Sequence, residues 1–227
     1  MSTAIKKGGK VNYFHRPEDQ KNSLHVAAEG GSLEVCKILL DNGAVVDALA
    51  ITNKETALSL AASYGHTAIV QLLLDNGAQI NVQNAYGNSP LHEAARHGFV
   101  KTSSILISHG ASIRLKNNKG SVALHLACYG ADKGDFPLEL TNLLLKAGSD
   151  VNALDNRGCT ALMAAASSGR EDVINALLES GANGKLVDGA GMDALATSMF
   201  HKQSISLKLH KMLSKDGREA PNSVFGK

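Results

Sequence analysis

At 227 residues, with 23 Lys and Arg against 21 Asp and Glu, the chain carries a net charge of +2, too little for a global field favouring nucleic acid or an anionic membrane. No apolar run approaches the roughly 18 residues of a spanning helix, residues 1–10 lack the apolar core of a secretory signal, and three cysteines far apart suit neither a disulfide framework nor a zinc site. These features predict a cytoplasmic protein, the nucleus being also open to it, with no membrane insertion and no nucleic-acid partner.

The first stretch, residues 1–21, holds Gly8-Gly9-Lys10-Val11-Asn12. It echoes Gly77-Ala78-Gln79-Ile80-Asn81 and predicts an N-terminal cap or the remnant of a preceding unit. From residue 22 a leucine recurs with its flanks at Leu24, Leu58, Leu91, Leu124, Leu162 and Leu195, in steps of 34, 33, 33, 38 and 33 residues. A second marker, Gly-Ala or Gly-Ser, keeps pace at Gly43, Gly77, Gly110, Gly148 and Gly181. A repeat near 33 residues predicts one elongated body in which each unit touches only its neighbours. Its extent is residues 22–213, five full units and a capping sixth.

The early units are regular apart from one extra residue near Ala50-Ile51. The third shows the logic of all of them. Ser89 caps a helix start and Pro90 suits the first helical position, having no N–H to lose. Leu91, Ala94 and Ala95 make a small apolar side that lets the next unit approach, and Gly98 ends the helix. A second helix spans about Val100 to Ser108, with Ile105, Leu106 and Ile107 inward and Gly110 as its left-handed terminus. Ser112 to Ser121 forms a projecting hairpin-like loop. Neither helix persists alone, because isolated helices below ~12–15 residues are marginal in water. Thr102 and Ser103 stand where other units place Ile69 and Val70, or Val173 and Ile174, so unit three is the expected soft spot.

Unit four carries an insertion at 131–136, five residues more than the 33-residue period allows, between its two helices, within Gly130-Ala131-Asp132-Lys133-Gly134-Asp135-Phe136-Pro137. Units five and six restart at Thr160-Ala161-Leu162 and Asp193-Ala194-Leu195. The sixth mixes Leu195, Ile205, Leu207, Leu209, Met212 and Leu213 with His201, Lys202 and Gln203, the one polar side that a solenoid end requires. Residues 214–227 read as a flexible tail. Cys36 and Cys128 fall on apolar register positions and read as core packing.

A period of 33 with the wording Asn88-Ser89-Pro90-Leu91-His92-Glu93-Ala94-Ala95-Arg96-His97-Gly98 resembles the ankyrin repeat. The resemblance implies an all-α solenoid of stacked helix-turn-helix units joined by hairpin-like loops. It implies a non-catalytic protein-binding module (scaffold, adaptor, assembly chaperone or inhibitor) whose partner lies along a concave strip of loop tips and first helices. Carried over by position, the tips are Tyr86 and Asn88, Asn118 and Lys119, Asn156 and Arg157, with Ala85, Ser121 and Cys159 beside them. The inner helix ends are Ser63, Tyr64, Arg96, His97 and Tyr129, and Phe136 extends the rim from the insertion. His25, His92 and His125 recur at one register, where the resemblance implies neutral side chains that hydrogen-bond across the loop. Two other readings follow from the same resemblance. One is a segment of a longer enzyme, channel or microbial effector whose activity lies outside this chain. The other is a substrate of an asparaginyl hydroxylase at Asn152.

Two strings mimic catalytic motifs. His92-Glu93-x-x-x-His97 has one residue too many for a zinc helix, since histidines five apart are turned by about 140° at 3.6 residues per turn. Gly189-Ala190-Gly191-Met192-Asp193-Ala194 fits a dinucleotide pattern but shares the loop register of Tyr86-Gly87-Asn88. No metal, no cofactor and no enzymatic activity are expected, and the array alone is expected to be monomeric.

Overall fold

A seven-residue helix in water loses more chain entropy than its few hydrogen bonds return, so these units hold only by stacking. The computed structural model describes residues 12, 21–129, 138–201 and 206–215. They form twelve helices in six pairs: α1 (Ser23–Glu29) and α2 (Leu33–Asp41), α3 (Ala57–Ser63) and α4 (Thr67–Asp75), α5 (Pro90–Arg96) and α6 (Val100–Ser108), α7 (Ala123–Tyr129) and α8 (Leu138–Lys146), α9 (Ala161–Ser167) and α10 (Glu171–Glu179), α11 (Ala194–Phe200) and α12 (Ser206–Lys215). Every substantial helix contact lies within a pair or between consecutive pairs. The expected row of stacked units is what forms. The last helix runs through Ser214 and Lys215, two residues beyond the expected end. The 131–136 insertion, most of the 1–21 segment and residues 216–227 lie outside the described residues.

The inner row is thin by composition. Ala27 and Ala28, Ala61 and Ala62, Ala94 and Ala95, Ala127 and Cys128, Ala165 and Ala166 are buried in turn along α1, α3, α5, α7 and α9. The marker leucines fill the space beside them, although Leu195 in the last unit is only half-buried. Starts are fixed by side-chain caps from Asn22, Thr56, Ser89, Thr160 and Asp193, each accepting from the backbone N–H three residues on. After each of the first five outer helices a glycine takes the left-handed conformation, as Gly110 does at φ +88°.

Two rows of bonds cross between units. In the first, His25 Nε2 bonds the carbonyls of Ala48 and Glu55 at 2.8 and 3.0 Å, His92 Nε2 that of Ser121 at 3.0 Å, and His125 Nε2 that of Cys159 at 3.1 Å. Each ring therefore ties its helix to the loop that leads into the next unit, and burial lowers its pKa below the usual imidazole value. In the second row a side-chain oxygen accepts a backbone N–H from the following unit. Asn12 accepts from Val45, Asp47 from Gln79, Asn81 from Ser112 and Asn152 from Asn183, at 2.7–2.9 Å. Asn12 thus stands where its echo of Asn81 places it. The row breaks at Arg114, which has no such carbonyl or carboxylate oxygen to offer.

That break coincides with the soft spot. In α6 the fully inward residues are Thr102, Ser103 and Leu106, while Ile105 and Ile107 are half-buried flanks, correcting the expected inward face. Thr102 shares a 3.0 Å hydroxyl bond with Thr67, but Ser103 Oγ is buried without a hydrogen-bond partner. An unpaired buried hydroxyl costs about 1–3 kcal/mol, and alanine is also the better helix former. Ser103→Ala is accordingly expected to raise stability by about 1 kcal/mol, read as a higher urea midpoint. A lowered midpoint would mean that the hydroxyl is satisfied.

The first loop differs from the others at its left-handed turn position. Lys54 adopts φ +53° where later loops use Gly87, Gly120, Gly158 and Gly191 at +73° to +79°. A side chain in that conformation costs about 1–2 kcal/mol. Lys54→Gly is expected to recover up to about 1 kcal/mol of it, measured by the same denaturation, and no gain would show that the lysine is held there by contacts.

Candidate functional site

Each loop tip is built by one short polar side chain. Asn84 Oδ1 accepts the N–H groups of Tyr86 and Asn88, Asn117 Oδ1 those of Lys119 and Ser121, Asp155 Oδ1 those of Arg157 and Cys159, and Asp188 Oδ1 those of Ala190 and Met192. An acceptor that satisfies two amides at once closes the turn without help from a sheet. Successive tips are then joined by one backbone bond per unit. Ala85 N–H donates to Asn53 O at 2.8 Å, Asn118 to Tyr86 at 3.1 Å, Asn156 to Lys119 at 2.9 Å and Gly189 to Arg157 at 2.7 Å. Gly191, from the dinucleotide-like string, turns here like its counterparts.

This ladder sorts the expected site residues. Tyr86 is 61 % exposed, and Lys119 and Arg157 stand beside it on the next two tips, also exposed. Asn118 and Asn156 are exposed too, but their amides donate to the carbonyls of Ala85 and Asn118. They hold the ladder, so they are framework rather than free contact groups. Asn88 does not belong to the surface. It is 5 % exposed, donating to Glu93 Oε1 at 2.9 Å and accepting from Asn117 Nδ2 at 2.9 Å. Ser121 is likewise buried. Phe136 lies outside the described residues.

The inner helix ends run parallel to the tips. Ser63 is half-buried, whereas Tyr64, Arg96, His97 and Tyr129 are exposed, the tyrosines by 52 % and 49 %. Tyr64 donates to Glu29 Oε1 at 3.2 Å, and that carboxylate raises its phenol pKa. Tyr129 OH accepts from Arg157 Nη2 at 3.4 Å, which links helix end to tip. Arg96 has no ion-pair partner among the described residues. His97 is pushed below the ordinary imidazole pKa by partial burial, so the cations at neutral pH are Arg96, Lys119 and Arg157. Acidic groups gather at the other end, where Glu29 pairs with Lys21 at 2.9 Å and half-buried Glu55 has its pKa raised by desolvation.

Glu93 escaped the sequence reading. Inside the metalloprotease-like string it looks like a surface charge, yet it is 6 % exposed and accepts from both Asn84 and Asn88. The signal was the pair of asparagines nine and five residues earlier, which can reach it only after the loop folds back. Among the described residues no group of three or more His, Cys, Asp or Glu could hold a metal ion, and no helix is long and apolar enough to cross a membrane. Asn152 uses both ends of its amide between units, donating to Gly181 O at 3.2 Å and accepting from Asn183 N–H. Cys36 and Cys128 are buried in the core, with thiol pKa values pushed up to about 11 and 12 by desolvation.

Comparison with protein families returns one description, Ankyrin repeats (3 copies), in overlapping matches over residues 2–84, 24–117, 76–136 and 124–217. No curated protein matches the chain.

Proposed function

The chain belongs to the ankyrin-repeat family, whose repeats are generally protein-interaction modules, and from that premise we propose that it acts without catalysis of its own, as a scaffold, adaptor, assembly chaperone or inhibitor that holds one protein partner along the strip of tips and inner helix ends. The carrying observation is the placement of aromatics. The chain has four tyrosines and no tryptophan, and Tyr64, Tyr86 and Tyr129 all stand half-exposed or more on this one strip with Arg96 and Arg157. Tyrosine and arginine are enriched among residues that dominate binding energy. Three large exposed phenols in one line fit a recognition surface. The free cysteines suit a reducing compartment, cytoplasm or nucleus.

A standard interface buries about 800 Å² per partner, which requires three or more units, so units two to four are the minimum segment. Tyr64→Ala, Tyr86→Ala and Arg96→Ala are each expected to weaken the partner by more than about 1 kcal/mol while leaving the melting curve in place. The test is affinity capture with the wild-type chain and the triple variant in parallel, keeping proteins lost from the variant and measuring their affinity. Unreduced affinity in the triple variant would move the binding surface elsewhere.

A further inference from the structure

We infer that the strip over units three to five takes an acidic, extended polypeptide segment, an assignment that rests on the binding reading above and names the chemistry of its partner. The observation is a cluster of exposed cations and phenols along one surface. Arg96, Lys119 and Arg157 stand exposed on consecutive elements, interleaved with Tyr86 and Tyr129. Lys119 and Arg157 occupy adjacent tips, because Asn156 N–H donates to Lys119 O and Gly189 N–H to Arg157 O. Arg96 and Tyr129 hold the same register on the packed helices α5 and α7. Tyr129 OH touches Arg157, so the helix row and the tip row meet in one patch.

Among the described residues the nearest carboxylates leave it cationic. Asp155 has a side chain only 5 % exposed and is occupied by the turn amides, reaching Arg157 at 3.5 Å. Glu93 is buried against Asn84 and Asn88. Arg96 and Lys119 have no ion-pair partner among the described residues, and Arg157 has only the 3.5 Å contact with Asp155. An incoming anion therefore meets charges little neutralised, and such patches steer association. Phenol rings beside them favour a chain with its own apolar atoms over a bare phosphate backbone. Spacing narrows the ligand further. Packed helices sit about 10 Å apart, and an extended chain in the polyproline-II form, with three residues per turn, advances about 3.1 Å per residue. Acidic residues three apart in the partner therefore meet Lys119 and Arg157 in turn.

The test uses the full chain and a displayed library of random 12-residue peptides. Peptides selected on the wild type should be rich in Asp and Glu, often three residues apart, and should bind at least tenfold more weakly to Arg96→Gln/Lys119→Gln/Arg157→Gln. The charge-reversed variant Arg96→Glu/Lys119→Glu/Arg157→Glu should select Lys- and Arg-rich peptides instead. Peptides that lose affinity in Tyr86→Ala and Tyr129→Ala but show no acidic enrichment would overturn this inference and leave the binding strip standing. Peptides indifferent to all of these variants, or no selected peptides, would overturn both. A mixed-sequence 12-nucleotide RNA that binds as tightly, and is lost in the same Gln variant, would overturn the polypeptide assignment in favour of a general polyanion site.

Discussion

Gly120→Ala is expected to destabilise the array by about 3 kcal/mol, while Gly191→Ala, at the same turn position, is expected to lose about 1–2 kcal/mol. Both glycines are left-handed, at φ +74° and +77°, so an alanine at either carries the same backbone strain. They differ in what lies above them. A Cβ on Gly120 would stand 2.7 Å from the backbone N of Asn156 and closer still to its side-chain oxygen, whereas among the described residues nothing lies within 4 Å of one on Gly191. Asn156 is fixed by its bonds to the carbonyls of Lys119 and Asn118, and forcing it away removes both, at about 1 kcal/mol each. Because a stacked array need not unfold as one unit, amide exchange should accompany denaturation. The Gly120 variant should speed exchange in the tips of units four and five, the Gly191 variant only at its own turn. Equal losses in the two would show that the tips are not in contact.

Acid is expected to loosen every junction that a histidine bridges. His25, His92 and His125 are held neutral by burial, with their pKa values lowered. In the unfolded chain each imidazole takes a proton near pH 6.5. Between that value and the lower folded one the unfolded state binds more protons, so stability rises with pH there. The contribution is whole above about pH 6.5 and is lost as pH falls toward each folded value. One group supplies at most about 1.4 kcal/mol per pH unit, so three acting together give up to about 4 kcal/mol per unit. Neighbouring charges modify this: Lys21 lowers and Glu29 raises the value at His25, Glu93 raises it at His92, and Asp155 raises while Lys116 lowers it at His125. Glu55 acts with the opposite sign, since its raised carboxyl favours the native state below the ordinary glutamate value and loses that as pH rises. Urea midpoints at pH 7.5, 6.5 and 5.5 should fall in that order. His92→Met and His125→Met should flatten the fall, because Met163 already occupies the same register in unit five and takes part in its cap. Midpoints unchanged across the range would mean that the rings are accessible to protons in the folded state.

Much of this molecule is written locally. Ser89, Thr160 and Asp193 cap where a short polar residue precedes an apolar run, and Gly110 turns where only glycine turns cheaply. Those choices depend on neighbours a few residues away. The tips were harder to read for the opposite reason. Asn88 and Glu93 are both polar and both look exposed in a string, and they are buried because Asn84 and Asn117, four residues before and twenty-nine after Asn88, complete their hydrogen bonds. Asn118 and Asn156 sit on the surface as expected, yet their amides serve the neighbouring tip. Lys54 stands at a left-handed turn position that the other loops give to glycine, which no propensity would favour.

The missing bridge at Arg114 has a mechanical meaning. Side-chain ties from Asn12, Asp47 and Asn81 lash the early units into one segment, and Asn152 lashes unit four to unit five. Between these ties the third and fourth units meet without one, beside the unpaired hydroxyl of Ser103. Tension drawn between the two ends would load this seam through the His92 ring and the tip bonds alone, and parting it would pull Arg96 away from Tyr129 across the gap.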